Sequence, residues 1–497
     1  MKALLIYPSP ISEIPHSLAI IAAVFKGEGW DVKAVVNTFR MPLENEDFLE
    51  IAEEYKPDVV GISMITIEVL KVYELIRELK ERGHEVWVGG SHPTVNPKEV
   101  MMSGADIVIR NESEETIKEI LQGKPLTEVL GIDYNPDRPR IKDLSTIPKP
   151  DFSVFDKELF RIKDGLVRGM HRIYTSRGCP GRCTYCAWQV FGQRVSYLPV
   201  PEVIKDIQRV VDEYGITNFL LADDCLTTNL RHVTEICNEI VKIRPKIIWQ
   251  SQTRADFATP ELMKMMADAG CWLITVGAES GDPETLVKVK KHVKLQDNID
   301  SVWNAYNAGM KVQTNLMFGF PWEGVKSLEN NLDYINKVWE PTYFFSVSGA
   351  VTPFPGTDLY NEYAEQYGFK EYWLKPRYQH CGAQLYQNTL NSYATSTFYQ
   401  RNIYDDIYIQ EDYFFNYSHE YKHKLSEVIF EVGRHNLEKL YPTQPFKRAA
   451  ILGVSKLSKK VYEVFPTLEM TVGSWIPIKD RSLVESSRNS KRGVTRN

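Results

Sequence analysis

Cys179, Cys183 and Cys186 lie at C-x3-C-x2-C spacing in the stretch Ser176-Arg-Gly-Cys-Pro-Gly-Arg-Cys-Thr-Tyr-Cys-Ala-Trp188, just after the strand-like run Arg172–Thr175. Three thiolates on a tight Gly/Pro loop can ligate three corners of a four-iron cluster. With no fourth cysteine nearby, one iron stays open to an outside ligand. Structural zinc calls for four closed ligands, and no neighbouring His or Cys offers the fourth. An odd number of close cysteines makes no disulfide framework, and Cys225, Cys237, Cys271 and Cys381 are scattered without ligand spacing. Those four read as buried thiols, with no second cluster.

The 497 residues suggest roughly three domains at ~150 residues each. Hydrophobic content of 43% and charged content of 25% are ordinary globular values. A net charge of -6 gives no global drive toward nucleic acid or membrane. Unpaired cysteines fit a reducing compartment. The apolar start Met1–Tyr7 stops at Pro8 and Pro10, too short for a signal-peptide core, and reads as a buried strand. No apolar run of about 18 residues is long enough to span a membrane. A cytoplasmic location is the expectation.

Residues 1–130 alternate strands and helices: strands at Ala3–Tyr7, Asp31–Val36, Asp58–Ser63, Glu85–Val88 and Asp106–Ile109, helices near Ser17–Gly29, Asn45–Glu54, Ile67–Arg82 and Glu114–Gln122. This predicts an α/β, Rossmann-like (flavodoxin-like) domain around a parallel sheet of about five strands. Ligands of such folds sit beyond the carboxyl ends of the strands. Those ends carry Pro8-Ser9-Pro10, Ser63 to Thr66, and Gly89-Gly90-Ser91-His92-Pro93-Thr94. Glycines there admit a bulky ligand and hydroxyls can bond to it.

Residues 131–165 are rich in Pro, Asp and Arg and read as a wrapping linker. Over 166–368 a second series of strands follows, at Ile173–Ser176, Asn218–Ala222, Ile247–Gln252, Trp272–Gly277, Lys311–Phe318 and Tyr343–Val351. Helices lie between them, near Pro201–Glu213, Leu230–Ile243, Thr259–Ala269 and Leu295–Ala308. The strand ends hold polar residues that a packed core would not want: Asp223 and Asp224, then Gln252 and Arg254, then Glu279 and Ser280, then the turns around Gly319, Pro321 and Pro353. Each has a plain structural reading as well. One aspartate can be a helix N-cap, Arg254 a surface salt bridge, and the Pro/Gly runs simple turns. A buried Glu279 would need a partner.

The cysteine motif, with the aromatic Tyr185 before its third cysteine, resembles that of the radical S-adenosylmethionine (SAM) superfamily. The first domain, with Gly89-Gly90-x-His92-Pro93-Thr94 and Gly61-x-Ser63, resembles the cobalamin-binding domain that precedes the radical domain in one large subgroup. The run Pro353-Phe-Pro355-Gly356-Thr357 resembles that subgroup most closely. The likeness implies a partial (β/α)6 TIM-type barrel whose Cys179, Cys183 and Cys186 hold a [4Fe-4S] cluster, with SAM on the open iron. Asp223 and Asp224 would contact the SAM amino group, Arg254 its carboxylate, and Gln252, Glu279, Ser280, Gly319, Pro321, Pro353 and Tyr185 the rest of that site. Ser63, Thr66, Gly89, Gly90, His92 and Thr94 would line cobalamin. The Asp-x-His-x-x-Gly sequence that supplies a cobalt ligand elsewhere is absent, and Pro8-Ser-Pro-Ile-Ser-Glu-Ile-Pro15 stands in its place. His16 and His92 are read as loop histidines rather than substitutes for that ligand.

Residues 369–497 resemble no family specifically and are expected to be mainly helical, capping the open barrel with a basic tail. Thirteen of the 26 tyrosines fall between Tyr360 and Tyr421, and Tyr413–Arg434 reads as a helix. Either the tyrosines form an aromatic lid over a tetrapyrrole or lipid-like substrate, or they pack helices with hydroxyls outward. Beyond Phe446, 11 Lys/Arg face four Asp/Glu. Residues 446–464 could lie as a basic amphipathic helix on anionic membrane, or form a solvated basic face with a tail from Ser486.

The resemblance implies a cobalamin-dependent radical SAM enzyme, foremost a methyltransferase to an unactivated carbon working through methylcobalamin and a 5′-deoxyadenosyl radical. A flavodoxin or ferredoxin would supply electrons. The alternative is a radical enzyme that forms, oxidises or couples carbon bonds of a tetrapyrrole- or lipid-type substrate without methyl transfer, its first domain keeping the fold without binding cobalamin. A nucleic-acid substrate is not expected, since no sizeable basic RNA-binding module or second cysteine triad is present.

Overall fold

The computed structural model describes residues 1–375 and 418–440, apart from 12–13, 39–41, 67–68, 134, 157–158, 160–162, 165–166, 169 and 188–190. The expectations for Cys381, for 446–464 and for the tail lie outside the described residues, as does most of the tyrosine-rich stretch.

The first sheet has strands β1 (Lys2–Ile11), β2 (Asp31–Thr38), β3 (Val59–Ser63), β4 (Val86–Gly89) and β5 (Ile107–Ile109), all parallel in the order 2-1-3-4-5. This is the flavodoxin-like order, with the strand sequence reversing beside β1. Helices cover both faces, so β1 buries Ala3 through Tyr7 without a break rather than in alternation. It also runs through Pro8–Pro10, expected as a loop, to pair Ile11 with Thr38 after a register shift. Helices α1 (His16–Gly27), α2 (Asn45–Tyr55), α3 (Val69–Glu81), α4 (Ser91–Val95), α5 (Pro97–Met102) and α6 (Glu114–Leu121) complete the domain. On α3, Val69, Val72, Tyr73, Leu75, Ile76 and Leu79 form the buried stripe that a 3.6-residue period predicts. Gly131 and Ile132 bond back to Arg110 and Ile109, so the chain leaves this domain a few residues later than the linker begins in the sequence reading.

The linker is clamped between the two domains. Asp151 takes Lys26 of α1 at 2.8 Å, and Lys149 reaches Asp206 of α7 (Val200–Tyr214) at 3.1 Å. The second sheet is β6 (Met170–Ile173), β7 (Asn218–Leu221), β8 (Ile248–Arg254), β9 (Cys271–Glu279), β10 (Lys311–Phe318) and β11 (Thr342–Ala350). It is parallel and in sequential order, with β6 and β11 at its edges, as a partial barrel requires. Helices α8 (Leu230–Ile240), α9 (Pro260–Asp268), α10 (Pro283–Lys288), α11 (Leu295–Asn307) and α12 (Val325–Lys337) follow its strands. Their caps are local: Asn229, Thr259 and Asp282 side chains accept from His232, Leu262 and Thr285 amides.

Strand β6 ends at Ile173, three residues before the sequence-predicted end, because the amides of Thr175 and Ser176 are taken by a carboxylate instead of a strand. After β11 come α13 (Asp358–Tyr363), a short turn at Tyr372–Leu374 and α14 (His419–Leu440). Ser418 caps α14, its hydroxyl accepting from Tyr421 N at 3.1 Å, and the predicted start at Tyr413 lies outside the described residues. The helix closes the β11 edge: Asn436 donates to Phe345 O and accepts from Phe345 N, both at 2.8 Å. Among the described residues no helix is long and apolar enough to cross a membrane.

Candidate active site

Two aspartates at the end of β7 hold the entry to the cysteine loop. Asp223 accepts from Thr175 N at 2.6 Å, Ser176 N at 3.1 Å and the Thr175 hydroxyl, which His232 Nε2 meets at 3.1 Å. Burial pushes Asp223 up to about 6, against the pull of these donors. Asp224 is exposed and accepts from Gly178 N at 3.0 Å. Gly178 has φ +98, and a Cβ there would come within 2.6 Å of Arg194 O, so only glycine makes this turn.

Cys179 and Cys183 are half-buried and Cys186 is exposed. A Cβ on Gly181 would sit 3.4 Å from Cys179 Sγ and 3.9 Å from Cys183 Sγ, so both sulfurs border the space this glycine leaves open. Gly181 N donates to Cys179 Sγ at 3.4 Å, the kind of contact that tunes a cluster ligand. Burial pushes the Cys179 thiol up, and iron ligation would deprotonate it. On its far side the loop is pinned by Thr184, whose N donates to Val289 O at 3.0 Å and whose O accepts from Leu359 N at 2.9 Å. Tyr185 packs on Phe320 with ring centroids 6.1 Å apart.

Charged groups border the loop. Arg254 forks onto Asp256 with two 3.0 Å bonds and donates to Lys291 O at 2.8 Å. Its third nitrogen lies 3.4 Å from where a Gly181 Cβ would be. Exposed Gln252 donates to Asp223 O at 2.8 Å. Glu279 has φ +62 and pairs with Lys291 at 2.7 Å, the two side chains 13% and 5% exposed. A Cβ on Gly277 would lie 2.7 Å from Glu279 Oε1 and 3.0 Å from Lys291 Nζ, so this glycine makes room for the pair. At the end of β10, Gly319 N donates to Glu323 Oε2 at 2.7 Å, and Tyr421 OH of α14 donates to the same oxygen at 2.8 Å. Burial pushes Glu323 up to about 7 in spite of these donors. Pro321 is half-buried beside it and Pro353 is buried.

The carboxyl ends of β3 and β4 carry glycines and hydroxyls instead, while β5 runs into Glu112 and Glu114, which pair with Arg177 before the cysteine loop at 3.0 and 2.7 Å. Gly90 has φ +122, and a Cβ there would strike Met64 O at 2.3 Å, so the β3 and β4 ends meet backbone to backbone beside Gly89. Ser63 and Thr66 are half-buried on that edge. His92 is wholly buried. Its Nδ1 meets Thr66 Oγ1 at 3.2 Å, and its Nε2 meets Tyr73 OH at 3.1 Å and Glu99 Oε1 at 3.2 Å. Thr94 donates to Gly90 O at 2.8 Å and accepts from Asn111 N at 2.9 Å.

Residues 12–121 match the B12 binding domain family and residues 173–335 the Radical SAM superfamily. The "uncharacterized methyltransferase" PH0819 of Pyrococcus horikoshii is 30% identical over 73% of this chain and 83% of its own length. The anaerobic magnesium-protoporphyrin IX monomethyl ester cyclase of Rubrivivax gelatinosus is 24% identical over 72% and 68%. The radical SAM methyltransferase TsrM of Kitasatospora setae, solved with cobalamin and a [4Fe-4S] cluster bound, has a TM-score of 0.62 at 18% identity, covering 74% of this chain and 75% of its own.

The chain belongs to the cobalamin-binding radical SAM enzymes.

The cofactors of this family are a [4Fe-4S] cluster, SAM and cobalamin, and the residues present suit them. Cys179 and Cys183 border the space at Gly181 and the exposed Cys186 follows on the same loop, while the β3 and β4 ends meet backbone to backbone at Gly90. Several side chains named from the radical SAM likeness have other work, however. Asp223, expected to meet the SAM amino group, spends its carboxylate on the loop entry, and only Asp224 stays exposed. Ser280 is buried, accepting from Asp282 N at 3.1 Å. His92 and Thr94 hold the cobalamin-side loop together rather than presenting their polar atoms to a ligand. His16 packs tilted against Tyr174, ring centroids 4.8 Å apart, in the linker seam. Neither histidine is set to ligate cobalt. Lys291, Asp256, Glu99 and Tyr421 carry no sequence signal of their own; the expected need of Glu279 for a partner was the one pointer to Lys291.

Proposed function

We propose that this radical SAM enzyme is a methyltransferase acting on a carbon without an activating group. One observation carries the reading: a single apolar cluster runs from the first sheet into the supports of the cysteine loop. It joins Leu4, Ile6 and Met64 to Val289, Phe320 and Leu359, with Tyr185 and Trp322 packed against it. A cobalamin-facing edge held rigidly against a SAM-facing edge suits an enzyme that must hand a group from one cofactor's site to a substrate shared by both.

When bound, the cluster and SAM supply a 5′-deoxyadenosyl radical, and cobalamin supplies a methyl carrier. The chain itself binds, orients and excludes water. Asp224 is the exposed carboxylate for the SAM ammonium, and Arg254, tethered by Asp256, lends positive charge near its carboxylate. The Gly319 turn, with half-buried Trp322 stacked at 5.2 Å on the fully buried Phe320, offers an apolar surface to adenine. Ser63, Thr66 and Gly89-Gly90 line the cobalamin edge. A flavodoxin or ferredoxin is the fitting electron donor, and the substrate a small or lipid-like molecule.

The similarity to the Rubrivivax cyclase, over nearly the same share of the chain, favours ring or carbon-skeleton chemistry as the second reading. The two differ in SAM use. Anaerobically reconstituted protein with cobalamin should form S-adenosylhomocysteine alongside 5′-deoxyadenosine when substrate is present. 5′-Deoxyadenosine alone, at full cobalamin and iron loading, would turn the assignment to the second reading.

A further inference from the structure

The residues after the barrel touch both cofactor sites. Leu359 N, at the start of α13, donates to Thr184 O inside the cysteine loop at 2.9 Å. Fourteen residues on, Trp373 Nε1 donates to both carboxylate oxygens of Glu99, in the first domain, at 3.1 Å each. The two ends are held as one piece, because Tyr360 and Trp373 rings pack at 5.3 Å and Tyr360 OH accepts from Glu371 N at 3.0 Å.

Glu99 in turn controls His92. Tyr73 OH donates to Glu99 Oε1, so both groups facing His92 Nε2 offer only lone pairs, and Nε2 carries the proton. Nδ1 then faces Thr66 Oγ1, the half-buried hydroxyl on the sheet edge. The donors from His92, Tyr73 and Trp373 hold the Glu99 carboxyl below its ordinary range although burial acts the other way. Trp373 also lies edge-on to the His92 ring at 5.9 Å, closing the stack.

We infer that Trp373, Glu99 and His92 are positioning residues for cobalamin. They form a relay that fixes Thr66 at the cofactor edge and ties its position to the strap that supports the cysteine loop. The inference rests on the reading of this edge as the cobalamin site. It makes a residue beyond the radical barrel a determinant of cobalamin affinity, and it accounts for a half-buried carboxylate that no catalytic step uses.

The test is titration of the full chain, purified without cobalamin, with hydroxocobalamin, followed by visible absorbance, with iron content as the check on folding. Loss of one neutral hydrogen bond predicts about five- to tenfold weaker binding for Thr66→Val, with Thr66→Ser within about twofold of the natural chain. Glu99→Gln and Trp373→Phe should each weaken binding by about three- to tenfold. The decisive readout is non-additivity: Thr66→Val combined with Glu99→Gln should bind no more weakly than Thr66→Val alone, which a general structural role would not produce. Should Thr66→Val lose iron, Trp373→Phe combined with Glu99→Gln carries the same non-additivity test. Fully additive losses, or unchanged binding in Trp373→Phe and Glu99→Gln, would overturn the inference while leaving the cobalamin reading intact. An unmodified chain that takes up no cobalamin would sink that reading itself.

Discussion

The two cofactor edges of this molecule are built from opposite materials. Around the cysteine loop stand charged groups: Asp224, Arg254 on Asp256, and Glu279 paired with Lys291. At the ends of β3 and β4 stand glycines and hydroxyls, with the Glu99 carboxylate held behind His92. The difference follows from the ligands each edge suits. SAM carries fixed charges that need counter-charges in a site of lowered dielectric. A corrin is broad and mostly uncharged, and needs backbone clearance with neutral hydrogen bonds. In both places half of the obvious polar residues are spent on holding the loop rather than the ligand. Asp223 does so on one side and His92 and Thr94 on the other.

The sharpest way to separate the edges is Cys183→Ala. It should abolish cluster assembly and 5′-deoxyadenosine formation, while hydroxocobalamin affinity stays within about twofold, since the altered site lies in the other domain. Loss of both functions together would mean the edges are one folding unit.

Next in size is the Glu279–Lys291 pair. Lys291→Met leaves a nearly buried carboxylate alone and should lower stability by about 3–5 kcal/mol, read from the denaturant midpoint. Adding Glu279→Gln should recover part of that loss. A single-variant effect near zero would show the pair to be hydrated. No comparable effect is expected at the uncharged Ser63 position on the other edge.

Titration distinguishes the linker seam from the barrel. Burial, with Arg209 nearby, lowers His171 to about 4, and burial with His171 and Arg177 nearby lowers His16 to about 3. The unfolded chain therefore binds more protons than the folded one between these values and about 6.5, so their contribution is lost as pH falls through that window. Glu323 has the opposite sign. Its value of about 7 stands above the ordinary 4.5, so the folded state holds the extra proton and stability declines as pH rises between them. His171→Phe should flatten the acid-side loss in melting temperature, and Glu323→Gln the decline toward pH 7. Variants whose pH profiles match the natural chain's would refute these assignments.

The smallest effect is expected at Tyr421→Phe, which removes one hydrogen bond to Glu323, about 1 kcal/mol, and should raise the KM for SAM more than it lowers kcat. An unchanged KM would detach α14 from the SAM site.

Much of the scaffold was legible in the sequence because its signals are local. Apolar runs and helical stripes identified the five strands of the first sheet and the six of the second, and the C-x3-C-x2-C spacing singled out the loop. Errors fell where a distant group overrides a local preference. Strand β6 stops early because Asp223, nearly fifty positions away, captures the next amides.

The sequence by itself determined the two parallel sheets, their order of appearance and the three thiols, since periodicity and close spacing survive in one dimension. Only the tertiary structure decided which polar residue serves which neighbour. Lys291 answers Glu279, Tyr421 answers Glu323, and Trp373 answers Glu99 across 274 positions. A buried charge or donor must find a partner, but chemistry dictates only the partner's type. Which residue it is depends on where packing brings the chain back.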